Sequence, residues 1–440
     1  MREDTQRIVI TGIGPISSLG IGQDEMWNNA LIERINLVEE NCSINGQIVD
    51  KHFVHKIHNF QIDNFGLDPL SINEIKTWKD CEIGMDLRYF LATIKLAIDD
   101  SKLQYDLGKN DIGLVLSAES PGHGEFYEKC LQYFYPKLND VAGNNTKNNQ
   151  KLERWDYKNN FFKAFKKIGY DLQTFTNLFH IGKVFNLHGY SLQINNACAS
   201  GLFALEIASD LILSGKCSAV IVAAVDQPDI FKYLWFKEMK IYSENGKIKP
   251  FSQNADGFVL GEGGAAFIIE NLKCARERKA EIYAEYLGGG FNMEAWKVTF
   301  PAIDKDYYQA AIHLALKNSK INLNEIDLVV PHGVGTKVID KFECRALDDV
   351  FRSNKINPLI SAFKPYIGHN LGGCTLIETT LALLCLKHEI ILPIINSREF
   401  IYNDRFNFVT KKIRRASKLI LKTCSAFAGF NAAAILRRMN

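Results

Sequence analysis

Proline is scarce in this chain, 11 in 440 residues, which argues against long disordered linkers. Paired cysteines are missing too. The ten cysteines stand singly at 42, 81, 130, 198, 217, 274, 344, 374, 385 and 424, with no Cys-x-x-Cys. Neither a zinc ribbon nor a compact disulfide framework is indicated. Neither sign of charge dominates: 52 Lys and Arg face 50 Asp and Glu, a formal charge of +2, which does not suit a dedicated nucleic-acid binder. The apolar stretch 376–395 is interrupted by Lys387, His388 and Glu389, so no membrane span is expected. The opening Met1 to Arg7 leads into a strand pattern without a signal-peptide core, and a cytoplasmic setting with free thiols follows as the expectation.

What is present is material for a substantial core, with 47% hydrophobic and 23% charged residues. The length suits two ordinary domains or one large duplicated one. Residues 8–14 read as a buried strand ending in a glycine turn, 23–33 as a helix, 86–101 as an amphipathic helix and 111–118 as a second buried strand. From about 120 to 180 the character changes. The run 144–151 is polar and Asn-rich, an insertion by its composition. The stretch 157–185 mixes Phe161, Phe162, Phe165, Phe175, Phe179 and Phe185 with lysines, and is assigned to core or subunit-interface packing.

Further strands are expected at 218–226 and 265–270. Asp256 to Gly264 lacks the ending of a phosphate loop and reads as a structural glycine turn beneath a site. The second half echoes the first: 327–335 mirrors the opening strand and its Gly-x-Gly, and 417–429 resembles the strand at 218–226 with its turn. Alternating strands and helices in both halves predict an α/β fold of two packed halves with a site between them. The halves divide as 1–270, with the insertion at about 120–180, and 271–440.

Three positions suggest chemistry. Cys198 lies in Asn195-Asn196-Ala197-Cys198-Ala199-Ser200-Gly201, between a strand pattern and a long helical run. A thiol set on the first turn of a helix is expected to favour the thiolate, the form that attacks thioesters. The same residues also fit a small buried core side chain. His332 and His369 each stand in a glycine-flanked loop at a strand end, where ligands collect in open α/β sheets. Two neutral histidines opposite a thiol suit hydrogen bonding to an oxygen that becomes negative, as when a malonyl thioester loses CO2. Lys364 adds positive charge or holds the network. A Cys-His-Asp hydrolase is the alternative on these residues. A zinc site of His332, His369 and Cys374 lacks a close ligand pair on one element, and no metal is expected.

Five motifs in order resemble the β-ketoacyl-ACP synthases, the elongating condensing enzymes of the thiolase superfamily. They are Asn196 to Gly201, Asp256 to Gly263, His332-Gly333-x-Gly335-Thr336 with Asp340, Lys364 to His369 with Glu378, and Phe427-x-Gly429-x-Asn431. The resemblance covers nearly the whole chain and implies a thiolase-like five-layered αβαβα fold with two pseudo-repeated halves. It implies decarboxylative Claisen condensation of an acyl thioester with malonyl-ACP by an acyltransferase that binds no cofactor of its own. Substrates would arrive on the phosphopantetheine of acyl carrier protein, and the enzyme would be a homodimer or a ketosynthase heterodimer.

By position, Cys198 would accept the acyl chain, and His332 and His369 would assist decarboxylation. Lys364 and Glu378 would be the supporting charged pair. The oxyanion hole would use the N–H of Cys198 and one near Ser425, which also falls at the gating position, with Phe427 beside it. Val334 and Thr336 would touch the pantetheine arm. Val334 replaces a common threonine, and Ser425 a common aromatic; with the Asn-rich insertion they fit a polyketide or secondary-metabolite ketosynthase better than a fatty-acid enzyme. A basic tail (Lys411, Lys412, Arg414, Arg415, Lys418, Lys422, Arg437, Arg438) reads as a solvated face or a carrier-protein attractant. Alternatives are a non-catalytic or chain-length-setting partner subunit and a CoA-dependent thiolase-like acyltransferase.

Overall fold

The computed structural model describes residues 3–44, 47–79, 83–103, 111–124, 126, 127, 130 and 172–439. Phe161, Phe162, Phe165 and the Asn-rich run lie outside them. The fold is α/β, built on a mixed sheet that uses one topology twice. In the first half the strands follow the chain as Ile8–Ser17, Ile112–Ser117, Ser191–Ile194, Ala219–Asp226 and Gly263–Asn271. In space they lie in the order third, second, fourth, fifth, first. In the second half Ala284–Met293, Leu328–Val330, Leu359–Ile360, Leu419–Ser425 and Phe430–Arg437 take the same order. In each half the second strand runs parallel to the third and fourth, and the fifth runs antiparallel to the fourth and first. The halves join where Ile8–Ile10 pairs antiparallel with Ala284–Tyr286.

Alternation along the strands builds the layers. On Ala219–Asp226, Val220, Val222 and Ala224 face a central core, while Ile221, Ala223 and Val225 face an outer one with Phe90, Leu91 and Ile94. On Leu328–Val330 and Leu419–Ser425, Leu328, Val330 and Ile420 turn to the same central core, and Val329 and Leu421 to a third, under the Tyr307–Ser319 and Lys337–Phe351 helices. Two helices fill the middle, Ser200–Leu213 and Cys374–His388, and they belong to the same place in each half, between the third and fourth strands. The Cys374–His388 helix is buried on every side from Cys374 to Leu386, as a helix packed between the two halves of the sheet must be. Helices, sheet, helices, sheet and helices make the five layers.

Close approach of sheet and outer helix uses the same device in both halves. A Cβ at Gly14 would lie 2.1 Å from the Thr93 carbonyl oxygen, and one at Gly290 2.0 Å from that of Ala311.

The expected correspondence between residues 8–14 and 327–335 is corrected by this topology. Leu328–Val330 is the second strand of its half and answers Ile112–Ser117. The counterpart of Ile8–Ser17 is Ala284–Met293, whose Gly288-Gly289-Gly290 breaks the apolar run that would have announced a buried strand. The match between 417–429 and 218–226 agrees with the strand order, since both are fourth strands. No helix among the described residues is long and apolar enough to cross a membrane.

Candidate active site

Cys198 stands on a turn that its own neighbours brace. Ala197 takes φ +49°, a left-handed conformation that costs a non-glycine residue about 1 kcal/mol. The strain is held by side chains: Asn195 Oδ1 accepts the Ala197 N–H at 3.0 Å, and Ser200 Oγ donates to the Ala197 carbonyl at 2.6 Å. The Asn196 N–H donates to Ser200 Oγ at 2.7 Å. The helix begins at Ser200, two residues after the cysteine, and Gly201 lets it approach Thr375 and Leu376 of the facing helix. Burial pushes the Cys198 thiol well up, the charge of Glu119 pushes it further, and Lys364 opposes them. The expected bias toward a thiolate is therefore reversed in the resting site: desolvation in a closed pocket outweighs a helix end that starts beyond the sulfur.

Cys198 Sγ lies 3.3 Å from His369 Nε2. The Leu371 N–H donates to His369 Nδ1 at 3.3 Å, so in the neutral ring the proton sits on Nε2 and faces the sulfur. The glycine turn read beneath the site is what seats this histidine. The His369 N–H donates to the Val259 carbonyl at 2.8 Å, and the Gly261 N–H to the His369 carbonyl at 3.2 Å. A Cβ on Gly261 would meet the Ile367 carbonyl oxygen at 2.1 Å.

His332 follows Leu328–Val330, its ring centroid 5.5 Å from that of His369. Glu343 fixes the loop: it accepts the N–H of His332 at 2.7 Å and of Gly333 at 2.8 Å. His332 Nδ1 has Lys364 Nζ at 3.4 Å and Cys424 Sγ at 3.3 Å, and the ammonium can only donate. Both imidazoles thus present Nε2–H on the side away from their fixed Nδ1.

Behind the histidines is a fully buried cluster of two cations and one anion. Lys364 Nζ donates to Glu378 Oε1 and to the His332 carbonyl, both at 2.8 Å, and Lys422 Nζ pairs with Glu378 Oε2 at 2.8 Å. All three side chains are 0% exposed. Burial works against the Lys364 ammonium most strongly, but the charge and hydrogen bond of Glu378, with Cys374 and Cys424, together hold the group above its ordinary value. Burial, then the charge of Lys364, with Lys422 adding to it, press both histidines well below theirs. They are neutral donors at neutral pH.

Cys198, His332 and His369 open onto one cavity of about 630 Å³. Val334, Thr336, Ser425 and Phe427 line it too, whereas Lys364 and Glu378 lie behind the histidines. Thr336 Oγ1 is buried without a partner among the described residues. The terminal loop is anchored by Asn431, which donates to Asn292 at 3.2 Å and Glu294 at 3.1 Å. Its Ala426, Ala428 and Gly429 N–H groups are engaged by Phe430, Val298 and Ala426 carbonyls, while that of Phe427 donates to none of the described residues.

Several partners were not singled out from sequence. Lys422 was read as part of a solvated basic tail; it is instead the second cation on Glu378. A lysine inside Leu419-Ile420-Leu421-Lys422, on an otherwise buried strand, was the available signal. Glu343 and Cys424 carried none beyond nearness in sequence to Asp340 and Ser425. Glu119, which lines the cavity, follows a buried strand by two residues. Among the described residues no cluster of three or more His, Cys, Asp or Glu is placed to hold a metal.

The β-ketoacyl synthase N-terminal domain model matches residues 5–275 and the C-terminal domain model residues 283–398. The chain is 31% identical over 252 residues to the tetracenomycin polyketide synthase ketoacyl synthase alpha subunit of Streptomyces glaucescens, covering 56% of this chain and 59% of that one. It is 26% identical over 478 residues to the 3-oxoacyl-[acyl-carrier-protein] synthase homolog of Saccharomyces cerevisiae, covering 99% of each. In structure it resembles the ishigamide ketosynthase/chain length factor, with a TM-score of 0.82, 24% identity and 99% of each chain covered. The chain belongs to the β-ketoacyl synthase family, a family of acyltransferases with the thiolase fold.

Proposed function

We propose that this protein condenses an acyl chain held on Cys198 with a malonyl group held on acyl carrier protein, and that it works in polyketide or secondary-metabolite biosynthesis. The observation that carries the reading is the convergence of Cys198 Sγ and two neutral imidazoles, each with its Nδ1 fixed, on one cavity.

In the first step Cys198 Sγ forms a bond to the acyl carbonyl carbon, the bond to the pantetheine sulfur breaks, and the thiol proton leaves with that sulfur. The oxyanion of this step sits between the N–H of Cys198 and a backbone N–H of the terminal loop near Ser425. In the second step the malonyl carbon–carboxylate bond breaks and CO2 departs. The enolate oxygen is held by Nε2–H of His332 and His369, whose protons need not move. The enolate carbon then attacks the acyl-Cys198 carbonyl, and the sulfur leaves as the new 3-ketoacyl chain forms on the carrier. Lys364, Glu378 and Lys422 keep the imidazoles neutral and in place.

Thr336 Oγ1 is the donor offered to the pantetheine arm, beside an apolar Val334. Phe427 forms the movable wall next to small Ser425. The working unit is a dimer, with a second copy or a chain-length-setting partner, in the cytoplasm, and its halves divide near residue 270. No cofactor of its own is required. Incubation with an acyl-carrier-protein thioester should add the acyl mass to the Cys198 peptide, and malonyl-carrier protein should then remove it with release of CO2. Condensation by Cys198→Ala would sink the reading.

A further inference from the structure

Two carboxylic acids line the cavity that holds Cys198, Glu119 and Asp256; Asp256 is engaged by Lys249 and Asn245, whereas nothing in the condensation uses Glu119. Its backbone is clamped at both ends. The Glu119 N–H donates to Asp226 Oδ2 at 3.0 Å, and its carbonyl accepts Asn195 Nδ2, from the nucleophile turn, at 2.7 Å. The residue is therefore fixed to the same turn that fixes the sulfur. Its charge is the largest of the neighbouring charges acting on Cys198. Oε2 is sealed from solvent and has no hydrogen-bond partner among the described residues.

Lys232 does not neutralise Glu119 by contact: its ammonium pairs with Asp226 Oδ1 at 2.5 Å. Burial, then the charge of Asp226, push the Glu119 carboxyl up to about 7, so near neutral pH it both donates and accepts. Much of the remaining cavity wall is apolar, including Phe236, Met239, Phe258 and Val334. In such a pocket a few fixed polar groups set the orientation and identity of what binds.

We propose that Glu119 selects the acyl chain: it pairs with a hydroxyl, keto or amide group near the thioester, so the site takes oxygen- or nitrogen-substituted acyl chains in preference to plain alkyl ones. A saturated chain leaves a buried carboxyl unpaired, and a site built for a hydrogen bond discriminates strongly against the analogue that lacks it. Glu119 is a specificity residue here, not part of the bond-making machinery, and the proposal rests on Cys198 being the acyl acceptor.

The test is the rate of Cys198 acylation, followed by intact-protein mass, with carrier-protein thioesters of hexanoate, 3-hydroxyhexanoate and 5-hydroxyhexanoate. The wild-type protein should take one hydroxy chain about tenfold or more faster than hexanoate. Glu119→Gln, which keeps a hydrogen-bonding side chain, should retain part of the preference. Glu119→Leu should lose it while accepting hexanoate at least as fast as wild type. Equal rates for all three chains in the wild type, or an unchanged preference in Glu119→Leu, would overturn the selection while leaving the ketosynthase reading intact. Failure of every thioester to acylate Cys198 would overturn both.

Discussion

The two halves put a turn and a central helix in the same place and give them opposite charge. Before Ser200–Leu213 the turn holds Cys198, bracketed by Glu119 and by Asp226 with its Lys232. Before Cys374–His388 the turn holds His369, and the charges behind it are Lys364 and Lys422 on one Glu378. One side carries an excess of acid and the other an excess of base. Burial, with the charge of Glu119 adding to it, holds the thiol protonated, and burial, with Lys364 and Lys422 adding to it, holds the imidazoles unprotonated. The two equivalent positions thus carry a thiol in one half and an imidazole in the other, each beside buried charge of opposite sign.

Removing the unique member of the first turn should have the largest effect. Cys198→Ala should lower condensation by at least ~10⁴-fold in a steady-state assay, since no second group on that side takes the acyl chain. His369→Ala or His332→Ala should each slow decarboxylation of malonyl-carrier protein by about 10²–10³-fold, the usual loss for one donor to a developing oxyanion. Acylation of Cys198 should suffer less than decarboxylation in His332→Ala, because His332 is not the imidazole beside the sulfur.

Breaking the basic cluster comes next. Glu378→Gln leaves two buried ammonium groups without their anion, and should cost about 3–5 kcal/mol of stability in denaturant unfolding. Lys422→Met keeps the Lys364–Glu378 pair and removes the excess cation. Burial and the lysines hold both histidine pKa values down, so losing one lysine lets them rise toward the ordinary value. A raised pKa means protonation at a higher pH, so the acid limb of kcat should move up; an unchanged or lowered limb would contradict the charge assignment. The smallest effect belongs to the cavity mouth, where Thr336→Val should raise KM for the carrier-bound substrate by roughly three- to tenfold, the worth of one hydrogen bond, with kcat nearly unchanged.

Much of this was legible in the residues. Cys198, His332 and His369 announced themselves by small and glycine neighbours, because a turn that lifts a side chain into a cavity needs close backbone approach. Lys364 and Glu378 were reachable through the order of the motifs. The internal repeat was seen, but one of its pairings was misassigned, because Gly288-Gly289-Gly290 hides a buried strand whose outer face must sit against Ala311. The protonation of Cys198 was misjudged because burial is a property of the assembled pocket, and a helix end visible in the sequence carries no measure of it. Lys422 was counted with the surface lysines because a buried lysine needs an anion from another element, here Glu378, which lies 44 positions earlier in the chain. Glu119 belongs to the same class, since its effect depends on what it faces across the fold.

The most direct test of a thiol nucleophile opposed by two fixed imidazole donors is a two-step peptide-mapped mass measurement on the wild-type protein. Mixing with an acyl-carrier thioester should place one acyl group on the peptide holding Cys198 and on no other cysteine, Cys374 and Cys424 included. Adding malonyl-carrier protein should return that peptide to its free mass, with one CO2 released for each acyl group lost. An acyl group on another cysteine, or loss of the label without CO2, would contradict it.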